Sequence, residues 1–235
     1  MSDAKEPGPY PQARVSDHVR TGLDAAVAAI PVVGGSATVL LNAVVAPSLQ
    51  RRREAWFERM GDFVDRLTTD GRVSVSDLID DEDFVDAVIH ASSVAARTHR
   101  DEKLLSLQHA LENVALGKAS GLLRQRRLIQ LVDDLEPEHL IVLKFLANPR
   151  DHMASLGIVP GPHDLGSTRS LFRRANLPVT GLELHIVLND LSSHMLANAE
   201  RLETSVTAEA MYGSRSLELG DLLLSLVSDP FAEDE

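Results

Sequence analysis

"AAIPVVGGSATVLLNAVVAPSLQRRREAW" (Ala28–Trp56) joins a long uncharged run to three consecutive arginines. No Asp, Glu, Lys, Arg or His occurs in residues 25–50. Pro31 and Pro47 interrupt the run, because a proline inside a helix removes one hydrogen bond and clashes with the preceding turn. The piece between them, residues 32–46, extends about 22 Å as a helix, short of a ~30 Å hydrocarbon core. The sequence therefore predicts an apolar hairpin of two short helices and not one ordinary transmembrane helix.

Two roles remain open for this apolar hairpin. It is either buried in the fold or an oligomer, or it leaves the fold and enters a membrane with the arginines at the headgroups. The net charge of −12 opposes constitutive attachment to an anionic bilayer. We therefore expect a stowed segment that a trigger releases. The residues predicted to contact a membrane or a partner are Val32, Val39, Leu40, Val44, Arg51, Arg52 and Arg53.

A long amphipathic helix follows the arginines. Trp56, Met60, Phe63 and Leu67 recur at spacings of four, three and four residues, which places them on one side of a helix. The spacing resembles a heptad seam, so these four residues are predicted to form a helix-pairing seam. The partner helix belongs either to the same chain or to a second copy or another protein.

The fold class predicted from the whole chain is mostly α. We expect a disordered tail at residues 1–12, the apolar hairpin and amphipathic helix at 13–68, a helical middle at 72–135, a winged-helix-like subdomain at 136–228 and an acidic tail at 229–235. The C-terminal order of three helices, a small β-hairpin turning at Gly213, and a closing helix is that of a winged helix.

Sequence signals for catalysis are missing. The chain has no cysteine, which excludes disulfides, thiol catalysis and Cys-ligated zinc. "HRD" at residues 99–101 lacks the other kinase motifs, and "VVGGS" is not followed by the Gly-Lys-Ser/Thr of a phosphate loop. The nine histidines form no pair spaced by four residues. We therefore expect a non-enzymatic protein without metal or cofactor.

Nucleic-acid binding is the alternative that the winged-helix order raises. The candidate contacts are Arg169, Arg173, Arg174 and Arg215. The predicted recognition helix, residues 181–196, contains no Arg or Lys and carries Glu183 and Asp190, which would repel phosphates. A winged helix that binds protein fits this charge better, and a transcriptional regulator binding DNA stays as the alternative.

Three segments together resemble a known family. They are the "IPVVGG" segment before the basic amphipathic helix, "LVDDLEPEHLIVLKFL", and the closing "SLELGDLLLSLV". In order of elements, residues 81–227 are similar to the bacterial abortive-infection alpha family, whose winged end closes with "LT..G..FL". Leu217 stands where that family tends to have a Thr cap, so Ser216 would have to cap the helix. The resemblance implies a role in phage defence and supplies no catalytic residues.

These observations together favour one function. We expect a bacterial protein that acts through contacts with a protein partner or by self-association, in phage defence by abortive infection. Residues 1–20 hold three prolines and no apolar signal region, which predicts a cytoplasmic protein, peripheral to the inner membrane if the apolar hairpin inserts.

Overall fold

Helices dominate the computed structural model, which describes residues 46–69, 71–118, 121–158, 166–198, 205–206 and 211–232. The helices are α1 (Ala46–Thr69), α2 (Val75–Asp80), α3 (Glu82–Arg97), α4 (Asp101–Ala115), α5 (Leu122–Asp134), α6 (Pro137–Ala147), α7 (Pro149–Ser155), α8 (Thr168–Arg174), α9 (Gly181–Ser193) and α10 (Glu218–Val227). The mostly α class is thereby confirmed. The predicted apolar hairpin, with Val32, Val39, Leu40 and Val44, lies outside the described residues.

Local sequence explains where several helices begin. The Ser74 hydroxyl accepts a hydrogen bond from the Asp77 amide at the start of α2. The Asp81 carboxylate accepts from the Asp83 and Phe84 amides at the start of α3. These side chains satisfy amides that have no partner within the helix, which is the usual function of an N-cap. Prolines occupy the first turns of α6 and α7, where no amide hydrogen is needed.

The helix-pairing seam of α1 packs inside this chain. Trp56, Phe63 and Leu67 are buried, and α1 lies against α3 and α4. The Trp56 indole Nε1 donates to the Ser92 hydroxyl of α3 over 2.9 Å, and the Phe63 and Phe84 rings are 6.2 Å apart. Met60 packs at the edge of the same core. Of the two alternatives for the partner of the seam, the structure shows helices of the same chain.

The middle and C-terminal helices share one hydrophobic core. Two residues separate α5 from α6, and α10 packs on α4, α5 and α6. Polar contacts cross the same junction. The Lys103 ammonium donates to the Asp133 carbonyl over 2.7 Å, and the Arg100 guanidinium binds both carboxylate oxygens of Glu138 at 2.8 Å. The predicted boundary between residues 135 and 136 therefore lies within continuous packing.

Strands are short and pair differently from the prediction. β1 (Gly166–Ser167) pairs antiparallel with β2 (Ser205–Val206), and an isolated bridge joins Ala197 to Ser216. Among the described residues, no paired strands flank Gly213, so the hairpin predicted at that turn is not found there. Met211 is helical and Gly213 follows it in a bend, and Met211 and Tyr212 both pack into the core.

Candidate functional site

The solvent face of α9 is the candidate site. Leu182 and Ile186 are 76% and 51% exposed, and they lie one turn apart on α9. His185 and Asn189 share this side of the helix and are also exposed. Leu182, His185, Ile186 and Asn189 are called the α9 face from here on. Single exposed apolar residues are ordinary, but two on one side of a helix form a surface that a groove can bind.

The opposite side of α9 holds the helix in place. Val187, Leu188 and Leu191 are buried in the core. Leu182 and Ile186 thus point away from the core. The α9 face is presented by a helix fixed through its buried side and not by a mobile loop.

Hydrogen bonds to α6 add to this anchoring. The amide of Glu136 donates to Nδ1 of His139, so the proton of the neutral ring is on Nε2. Nε2 then donates to the Asp190 carboxylate of α9 over 3.2 Å.

A second polar contact joins α9 to α5. The guanidinium of Arg127 donates to Nδ1 of His194, the residue that follows α9, over 3.1 Å. α5 and α6 thus each contact the α9 region through a polar hydrogen bond.

The four arginines predicted for nucleic-acid contact have different environments. Arg173 and Arg174 are exposed in the last turn of α8, where basic side chains also stabilise the helix dipole. Arg215 is half-buried, and burial lowers the pKa of its guanidinium. Its amide donates to the Leu146 carbonyl over 2.8 Å. The Arg169 side chain lies outside the described residues. The structure thus presents Arg173 and Arg174 to solvent and holds Arg215 against the fold.

The arginines at the start of α1 are partly engaged in the fold. Arg52 donates to the Arg97 carbonyl at the end of α3 over 3.2 Å. Arg51 is exposed and donates to the Pro47 carbonyl of its own helix over 3.4 Å, and Arg53 is half-buried. Within the part of the chain that the structure describes, no helix is long and apolar enough to cross a bilayer.

A cleft of about 470 Å³ lies between α3 and α5. Its lining includes Ser93, which could serve as a nucleophile, and His90, which could serve as its base. The Ser93 hydroxyl, however, donates to the His90 backbone carbonyl over 2.8 Å, and the His90 Nε2 lies 3.8 Å from the Asp133 carboxylate. A nucleophile activated by a base needs a direct hydrogen bond between the two side chains. The described residues of this cleft do not make that contact.

Comparisons of the chain with protein-family models, with curated proteins and with solved structures found no match. The resemblance to the abortive-infection alpha family therefore stays a prediction.

Proposed function

We propose that the protein acts by binding another protein through the α9 face, in bacterial phage defence and without catalysis. The observation that carries the proposal is the exposed pair Leu182 and Ile186 on a helix whose other side is anchored. A fixed apolar stripe binds a groove with little loss of conformational entropy, because the helix is already ordered.

The charge around the α9 face indicates the chemistry of the partner. α9 contains Glu183 and Asp190 and no Lys or Arg. The whole chain is also acidic, with a net charge of −12. Complementary charges steer association and exclude wrong partners. The proposed partner is therefore a protein with an apolar groove bordered by basic side chains.

The test combines a photo-crosslinking residue at Ile186 with a double substitution. Cells that express the chain are challenged with phage, and crosslinked species are identified by mass spectrometry. The double variant Leu182→Asp with Ile186→Asp is expected to lose both the crosslinked partner and protection against phage. The matched control is Leu123→Asp, at an apolar residue of α5 that is 86% exposed and outside the α9 face.

Each outcome bears on the proposal. The double variant must remain as stable as the control, which thermal unfolding measures. If the folded double variant keeps its partner and its protection, α9 is not the binding face. If protection is absent in the wild type as well, the link to phage defence is wrong.

DNA binding is a second candidate, supported by the exposed Arg173 and Arg174 and by the element order. We infer a winged-helix-like arrangement from β1, α8, α9, the Ala197–Ser216 bridge and α10. In such an arrangement the helix before the recognition helix faces the DNA backbone, and α8 carries the two arginines. The full chain would then shift duplex DNA at ~50 mM salt, and the double Arg→Ala variant would not. The absence of a shift by the wild-type chain would argue against this candidate.

We also propose that the apolar hairpin enters a membrane when it is released from the fold. The support for this is the uncharged run of residues 25–50 followed by Arg51–Arg53. Val39→Asp with Val44→Asp separates the two roles of the hairpin. A stowed membrane element would leave the variant folded but unable to bind anionic liposomes, whereas a core element would leave it unfolded or insoluble. A folded variant that binds liposomes as before would contradict both.

A further inference from the structure

Three potential metal ligands meet where α4 contacts the end of α10. His109 and Glu112 are three residues apart on α4, and Asp229 follows α10. One ligand atom from each residue can be chosen so that all three atoms lie within 4.8 Å of one another. Imidazole nitrogen and carboxylate oxygen together are ligands of first-row divalent metals.

His109 is held in the form that binds metals. Its Nδ1 lies 3.1 Å from the Val227 carbonyl oxygen at the end of α10. A carbonyl oxygen only accepts hydrogen bonds, so Nδ1 carries the hydrogen in this contact. The lone pair of the neutral ring is then on Nε2. A metal-binding histidine commonly has this arrangement, in which the second nitrogen donates to a backbone carbonyl and fixes the ring.

The surroundings of the Glu112 carboxylate also favour a bound cation. The Glu112 side chain is fully buried, with 0% exposure. Oε1 accepts from the Arg66 guanidinium and from Gln108 Nε2, the latter over 3.0 Å. The other oxygen, Oε2, is also buried and has no hydrogen-bond partner among the described residues. An unsatisfied carboxylate oxygen in the interior is costly, and a cation bonded to it would remove that cost.

We propose that His109, Glu112 and Asp229 bind a divalent transition-metal ion of the zinc class. In a tetrahedral site with bonds of about 2.1 Å, ligand atoms lie about 3.4 Å apart, so the three side chains would have to draw together from separations of up to 4.8 Å to bind an ion. Asp229 is exposed, which leaves room for a water ligand. The positive charge of Arg66 repels a cation bound at Glu112. The negative charge of the Asp229 carboxylate compensates for this repulsion. The bound ion would fasten the segment after α10 to α4.

The test uses the full chain after chelator treatment, titrated with Zn²⁺ by calorimetry. Wild type is expected to bind one ion per chain. Asp229→Asn keeps the side-chain oxygen that accepts from the Phe231 amide, so it is expected to fold normally and to bind Zn²⁺ at least about tenfold more weakly. The matched control is Asp80→Asn, at an exposed residue of α2, which should bind Zn²⁺ as wild type does.

Thermal unfolding gives a readout that does not depend on the calorimetric fit. A ligand that binds only the folded state raises the melting temperature in proportion to the logarithm of its excess over Kd. At the same Zn²⁺ concentration, Tm should therefore rise in wild type and in the Asp80→Asn control and rise clearly less in Asp229→Asn. The proposal is overturned if wild type binds no Zn²⁺, or if Asp229→Asn binds it with unchanged affinity, since other residues would then be the ligands.

Discussion

Gly220 lies so close to the backbone of Leu196 that a substitution there tests how tightly α10 packs. It lies in the first turn of α10, and a Cβ built on it would overlap the carbonyl oxygen of Leu196. The same Cβ would be 3.2 Å from Leu143 Cδ1 on α6. The Leu196 oxygen is also fixed, because it accepts the Leu217 amide over 2.9 Å. Gly220→Ala therefore forces the backbones of α10 and of the segment after α9 apart.

The magnitude follows from three contributions. Overpacking of a well-packed core costs about 1–3 kcal/mol. Stretching or losing the Leu217–Leu196 hydrogen bond adds about 1 kcal/mol. Alanine recovers at most about 1 kcal/mol through its higher helix propensity. We expect Gly220→Ala to lower the free energy of unfolding by about 1–3 kcal/mol, which corresponds to a Tm lower by about 2–12 °C.

The assay is urea unfolding followed by far-ultraviolet circular dichroism, and Gly61 supplies the control. Gly61 is exposed in α1, and no described atom outside its own helix lies within 4 Å of a Cβ built on it. Gly61→Ala should raise the free energy of unfolding by up to about 1 kcal/mol. If Gly220→Ala is as stable as Gly61→Ala, the close approach to Leu196 does not constrain the fold.

Three further predictions concern buried and paired polar groups. Trp56→Phe removes the donor to Ser92 and should cost about 1–2 kcal/mol in urea unfolding, with Ser92→Ala adding little in a double-mutant cycle. The hydrogen bond from Arg100 lowers the pKa of Glu138, so the ionised carboxylate stabilises the folded state. Wild type should therefore have a larger free energy of unfolding than Glu138→Gln at neutral pH, and this difference should disappear as pH falls through the lowered pKa. Asn113→Leu removes the amide that donates to the last carbonyls of α10 and should speed hydrogen exchange there.

The helices that sequence predicts best are those with a regular apolar stripe. The spacing of Trp56, Phe63 and Leu67 predicts α1, and the structure shows all three residues buried. Spacing alone left open whether the stripe faces this chain or another, because a stripe reports burial and not the identity of what covers it. The hydrogen bond from Trp56 to Ser92 is long-range, so no local pattern indicates it.

The cluster proposed as a metal site shows the same limit. His109 and Glu112 are spaced by three residues, a local signal that a search for histidines four apart passes over. Asp229 is far away along the chain and reaches the pair only because α10 packs on α4. The spacing of His109 and Glu112 is thus present in the sequence, although the sequence alone predicts no metal site, while the contact with Asp229 depends on tertiary packing.

The α9 face, in contrast, follows from helix geometry once the whole wheel is considered. At about 100° per residue, Leu182 and Ile186 lie within about 40° of each other, whereas Leu191 falls on the opposite side of the helix. One core therefore cannot bury all of them, and a helix that packs Leu188 and Leu191 inward must expose Leu182 and Ile186. Helix geometry thus leaves one apolar pair outside the core. It does not say which side is left, because that depends on tertiary packing: Val187, Leu188 and Leu191 are buried, and the His139–Asp190 and Arg127–His194 contacts join α9 to residues distant in the chain.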